Sequence, residues 1–109
     1  MFLYTCATDM RRSFDTLGAL VVEHMGKDPF CGDLFVFVGR GKDRLKVLYW
    51  DTDGFGLWYK RLEEGTFKLP KARGDQEVVE LRASELAMLL EGIDLRSIKR
   101  LKRYARPTA

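Results

Sequence analysis

Asp51 and Asp53, in the stretch "WDTDGFG", are the residues best placed by type and spacing to do chemistry. Two carboxylates two positions apart, ahead of a glycine, can converge on one hard cation. A calcium loop also needs further oxygen ligands and a closing glutamate at fixed offsets, and neither follows here. Acids beside a glycine serve equally well as turn formers, so the pair makes no metal site by itself. A nuclease of the acid-x-lysine type needs Asp or Glu two residues before Lys, and no such triplet occurs. His24 is the single histidine, so a Ser–His–Asp relay would rest on it alone. "GRGK" lacks the spacing of a phosphate-cradling Gly-x4-Gly-Lys loop. No catalytic residue, metal or cofactor is expected, and the chain is read as a non-enzyme.

The bases carry a stronger signal. The net charge is +3, yet residues 96–109 hold Arg96, Lys99, Arg100, Lys102, Arg103 and Arg106 and no acid, which leaves the body mildly acidic. A basic tail on a folded domain points to a polyanionic partner, nucleic acid ahead of membrane because no bulky apolar anchor accompanies it. The bland alternative is a solubilising terminus. In the body, Arg40, Lys42 and Arg44 fall in the glycine turn "GRGKDR", where they are either solvated charges or phosphate contacts. Lys46, Lys60 and Arg61 are interleaved with Tyr49, Trp50, Trp58 and Tyr59, a composition that can stack bases while holding phosphates. The competing reading, favoured for the aromatics, puts them in the core with the lysines at the sheet edge. Arg11 and Arg12 fall off the apolar stripe of a helix. The candidate nucleic-acid contacts are therefore Arg11, Arg12, Arg40, Lys42, Arg44, Lys46, Lys60, Arg61, Arg96, Lys99, Arg100, Lys102 and Arg103.

The elements that must position these residues follow from periodicity. Met10, Phe14, Leu17, Val21 and Met25 recur at helical spacing, predicting a helix over 9–25 with Thr8 or Asp9 as cap and Gly26 as terminator. Leu34–Val38 reads as a strand buried on both faces, Leu45–Trp50 and Leu57–Leu62 as the next two, and Phe67–Leu69 as a short edge strand stopped by Pro70. Residues 71–77 read as loop, and Glu85–Glu91 as a second helix with Leu86, Leu89 and Leu90 inward. Ile98, Leu101 and Tyr104 could form a short tail helix. The class is α+β: an antiparallel meander of about four strands with two main helices, one domain over 1–95 and a basic tail over 96–109. If Leu48 pairs with Trp58, one hairpin face collects Lys46, Trp50, Trp58 and Lys60; a shift by one residue would split that set. Cys6 and Cys31 have no motif spacing and read as free thiols. The longest apolar run, Leu34–Val38, is too short to span a bilayer, so a soluble cytoplasmic protein is expected.

Three stretches carry a family resemblance: "TDMRRSFDTLGALV", "DPFCGDLFVFVGRGKDRLKVLYWDTDGFGLWYKRLEEGTF" and "ELAMLLEGIDL". They resemble the TnpB-type accessory proteins of one class of bacterial insertion sequences, second-reading-frame products encoded beside a separate transposase. The likeness covers roughly residues 8–95. Matching positions include Thr8, Asp9, Met10, Arg11, Phe14 and Asp15, then Asp28, Pro29 and Phe30, then Lys46, Trp50, Asp51, Gly54, Tyr59, Lys60, Arg61, Leu62 and Glu63. The resemblance implies an accessory role in DNA transposition, with transposon ends or non-specific duplex DNA and the transposase as partners. It brings no catalytic residues. An adaptor of the transposase complex that never touches DNA is the alternative, and a cryptic nuclease subunit built on Asp51 and Asp53, with Asp9 or Asp15 as a further ligand, is a third. Two departures stand out: relatives have a longer extended segment before "MFLYTCA", and Arg82-Ala83 replaces the usual Thr-Pro ahead of the second helix.

Overall fold

The computed structural model describes residues 1–72 and 74–91. The tail with its Ile98–Tyr104 segment, and the candidate bases Arg96, Lys99, Arg100, Lys102 and Arg103, lie outside the described residues. The elements are β1 (Phe2–Tyr4), α1 (Phe14–Glu23), β2 (Phe35–Val38), β3 (Arg44–Asp51), β4 (Gly54–Arg61), β5 (Val78–Glu80) and α2 (Ala83–Leu90). They form an α+β fold around one five-stranded sheet, in the order β4-β3-β2-β1-β5.

The expected meander exists as β2-β3-β4, but the sheet is mixed and larger than predicted. β1 lies at its interior, parallel to β2 and antiparallel to β5. A parallel neighbour needs a long crossover, and residues 5–34 with α1 supply it. The predicted edge strand at Phe67–Leu69 does not form. Phe67 instead donates its N–H to the Lys42 carbonyl (2.6 Å) and buries its ring completely.

Both faces of the sheet are covered. Leu3, Val36, Val38, Leu45 and Val47 pack with Phe67, Leu81, Leu86 and Leu89 on the α2 side. Tyr4, Phe35, Phe37 and Leu48 pack with Leu17, Leu20, Val21 and Met25 on the α1 side. This is why β2 reads as an unbroken apolar run: each of its residues is buried whichever way it points.

The first helix starts five residues later than its periodicity suggests. Asp9 closes a tight turn, accepting the Arg11 N–H on Oδ1 (2.9 Å) and the Arg12 N–H on its carbonyl (3.1 Å). Helix begins only after Ser13, whose N–H is taken by Thr16 Oγ1 (3.1 Å). Met10 still packs inward, from the loop, against the α1-side core. Gly26 follows the helix in the left-handed conformation (φ 64°), as expected. Before α2, Arg82 offers no capping oxygen, yet Glu85 Oε1 accepts the Arg82 N–H (2.9 Å), which keeps half of a capping box. Among the described residues no helix is long and apolar enough to cross a membrane.

Candidate nucleic-acid interface

The loop after β1 and the turn after β2 meet at one end of the sheet. Thr8 donates its N–H to the Val38 carbonyl (2.9 Å), which carries the β1–β2 pairing into the loop, and Thr8 itself is buried. The β2–β3 turn closes through Gly39 N–H to Arg44 carbonyl (3.0 Å), with Lys42 at φ 60°. Met10 packs against Gly39, where an added Cβ would lie 2.9 Å from the Met10 Cγ. The result is a cleft lined by Asp9, Arg11, Arg40, Asp43 and Arg44. On the other side of the same loop a second cleft is lined by Tyr4, Thr8, Asp9, Arg12, His24 and Arg40.

These arginines differ in what they have to spare. Arg11 grips Asp9 in a two-pronged pair (Nη2 to Oδ2 2.7 Å, Nε to Oδ1 3.0 Å). The side-chain hydrogen bond from Arg11 holds the Asp9 carboxyl far below the usual carboxylate range, and the same contact raises Arg11. Arg61 is paired with Glu63 (3.0 Å) at an exposed site. Arg12, Arg40, Lys42 and Arg44 are exposed and have no ion pair with any described residue. Arg44 faces Arg61 directly across the β3–β4 ladder, a like-charge juxtaposition that Glu63 answers on the Arg61 side only. Tyr4, on the wall of the second cleft, has its hydroxyl pushed up to about 12, chiefly by burial.

Two other predicted contacts are engaged inside the fold. Lys46 is 7% exposed; its ammonium donates to the Arg12 carbonyl (2.6 Å) and lies 4.8 Å from the centre of the Tyr59 ring. That bond fastens the loop bearing Arg11 and Arg12 onto the sheet. Lys60 donates to the Leu90 carbonyl (3.0 Å), supplying from β4 the cation that the last turn of α2 lacks. Lys42 opens away from the arginines, onto a depression formed by Thr66, Phe67, Lys68 and Leu69. Lys68, which joins it there, had no signal in the sequence beyond its charge.

The hairpin register overturns the expected aromatic–basic face. Val47, not Leu48, pairs with Trp58, and Lys46 pairs with Tyr59. The shift by one residue places Lys46 and Trp50 on the α1 side and Trp58 and Lys60 on the α2 side. Trp50 joins Phe30 and Phe55 in a mutual trio with ring centres 5.0–5.2 Å apart. Trp50 is half-buried in this trio at the rim of the sheet and belongs to neither core cluster, and Trp58 and Tyr59 stay exposed (41% and 47%), so the core reading fits none of the three. Asp51 and Asp53 end at the exposed hairpin tip, at the opposite end of β3 and β4 from the arginines. Among the described residues no three His, Cys, Asp or Glu side chains come together as metal ligands would.

Residues 1–100 match the family described as IS66 Orf2 like protein. The protein y4jC of Sinorhizobium fredii is 38% identical over 104 residues, covering 95% of this chain and 86% of the relative. A second protein of that organism, y4hO, is 40% identical over 96 residues, covering 88% and 82%. No solved structure matches. With the match extending over nearly the whole chain, from the β1 strand through α2, the protein belongs to the IS66 Orf2-like family of insertion-sequence accessory proteins.

Proposed function

We propose that the chain is a non-catalytic accessory protein of DNA transposition, whose basic end binds the phosphate backbone of duplex DNA weakly and without sequence preference. Strand chemistry is left to a separate transposase. The observation that carries this reading is the convergence of Arg12, from the loop after β1, with Arg40 and Arg44, from the β2–β3 turn, none of them in an ion pair with a described residue. Guanidinium groups at the rim of a cleft suit phosphate oxygens, and such contacts position a protein on DNA without reading its sequence. Lys46 and Lys60 are outside the proposed interface because their ammonium groups serve the fold.

Binding of a labelled duplex carrying a transposon end, and of an unrelated duplex, tests this between about 50 and 200 mM salt. With about four phosphate contacts, affinity falls on the order of 10²-fold over that range, equally for both duplexes. The triple variant Arg12→Ala, Arg40→Ala, Arg44→Ala loses most of the binding, and its salt slope falls by about one for each contact removed. Absence of binding at the low-salt end would transfer the role to protein–protein adaptation, with the same bases meeting an acidic surface of the transposase.

A further inference from the structure

The sheet has two edges, and they are treated differently. β5 is three residues long, and a short edge is a blunt one. β4 runs for eight residues, contains no proline, and presents its outer backbone to nothing among the described residues. Leu62, just past the strand, donates its N–H to Asp43 of the neighbouring side (2.7 Å). Ladder groups alternate along a strand, so the even-numbered residues face β3 and Phe55, Leu57, Tyr59 and Arg61 aim their N–H and C=O groups outward. Among the described residues the chain does not return to cover them. After the turn at Gly65 it passes onto the α2 face, where Phe67 enters the core.

Charges on an edge strand ordinarily keep other strands away. Here Lys60 is bent onto the Leu90 carbonyl, and Arg61 bonds Glu63 through Nε and Nη2 only, so its charge is partly answered while Nη1, among the described residues, stays open to a further acid. Exposed aromatics flank the edge on both sides, Tyr59 toward α1 and Trp58 toward α2.

We propose that the β4 edge is where a second copy of this chain pairs, antiparallel about Leu57, to make one continuous sheet from two. The outward parity and the charge pattern select this register. Leu57 meets Leu57, Tyr59 meets the second copy's Phe55, Trp58 meets its Gly56, and Arg61 meets its Asp53. No base opposes a base. Asp53 at the tip of each hairpin lies against Arg61 of the other, beside that arginine's own partner Glu63, so this one attraction is used twice. A twofold contact of this kind closes on itself, leaving only the blunt β5 edges free. It also places the two Arg61 positions eight residue steps apart, roughly 27 Å along the joined strands. The dimer would therefore carry a basic cleft at each end.

Light scattering on the full chain without DNA, across a hundredfold range of concentration, reads the association directly. Asp53→Arg brings two arginines face to face and weakens the dimer tenfold or more; Arg61→Asp does the same by opposing two acids. The double variant Asp53→Arg, Arg61→Asp restores pairing, which shows that the single variants are folded and that the register is the one described. Amide exchange at Phe55, Leu57 and Tyr59 slows as concentration rises. A chain that stays monomeric throughout, or a dimer indifferent to both single charge reversals, overturns the proposal. Because association is read without DNA, either outcome leaves the DNA reading to its own test on the Arg12, Arg40 and Arg44 variants.

Discussion

Thr52 is the first of the two residues that turn β3 into β4, and its φ is 52°. The left-handed region costs an L-residue roughly 1–2 kcal/mol, and a β-branched side chain has little means of relieving it. Thr52→Gly is expected to stabilise the fold by about 1 kcal/mol, less than the full strain because glycine also frees the unfolded chain. Urea unfolding with an unchanged slope would measure this, and a loss of stability would mean that the threonine side chain makes a contact that matters more. Asp9 gives a prediction of a different kind. Its folded-state titration is depressed by Arg11, so the stabilisation is complete above the ordinary carboxylate value of 3.8 and drains away as pH falls below it. Asp9→Asn should melt below the wild type at neutral pH, and the gap should close on acidification beneath that value. A gap independent of pH would assign the loss to the turn geometry rather than the charge.

At the scale of elements, α1 holds a glycine that no contact requires. Gly18 is buried within the helix, and no heavy atom lies within 4 Å of the position its Cβ would take. Gly18→Ala should therefore stabilise by about 0.5–1 kcal/mol through helix propensity alone, read as a rise in melting temperature with an unchanged spectrum. The α1 stripe and the strands β2 to β4 were legible because their apolar spacing is dense and their runs are long enough to show a period. The hairpin register was not. "DTDGFG" looks like a wide connection, but Gly54 and Gly56 belong to β4, and only Thr52 and Asp53 turn. Gly56 stands opposite Tyr49, whose ring fills the glycine's side-chain space; an added Cβ would come within 2.2 Å of it. That use of a glycine inside a strand shortened the turn and moved every pair by one. β1 and β5, three residues each, are too short to carry a period, and their partners are remote in sequence. The candidate site was legible as a set of charges but not as a place. Nothing local says that Arg12 and Arg40 share a cleft, or that the Lys46 and Lys60 ammonium groups answer backbone carbonyls.

For the whole molecule, the N-terminal strand decides whether the parts act as one. Among the described residues β1 is the one strand that joins the β2–β4 meander to the β5–α2 unit within the sheet, pairing one on each side. Backbone bonds extend the link at both ends, from Phe2 N–H to the Leu34 carbonyl (2.9 Å) and from Thr5 N–H to the Glu77 carbonyl (2.9 Å). Its side chains also divide between the layers: Leu3 enters the α2-side core, and Tyr4 the α1-side core. The basic clefts depend on the same strand, because Tyr4 lines one of them and Thr8 continues the pairing that brings the loop to the turn. Unfolding should then be a single transition seen alike by helix and by tryptophan signals. Leu3 is 1% exposed, and Leu3→Ala should lower stability by about 2–5 kcal/mol. Both probes should shift together, since neither half of the sheet can keep its neighbour once β1 lets go. A variant in which the α2 region melts first while Trp50 and Trp58 keep their folded signal would show instead that the meander and α1 stand alone, with β1 an attachment rather than the keystone.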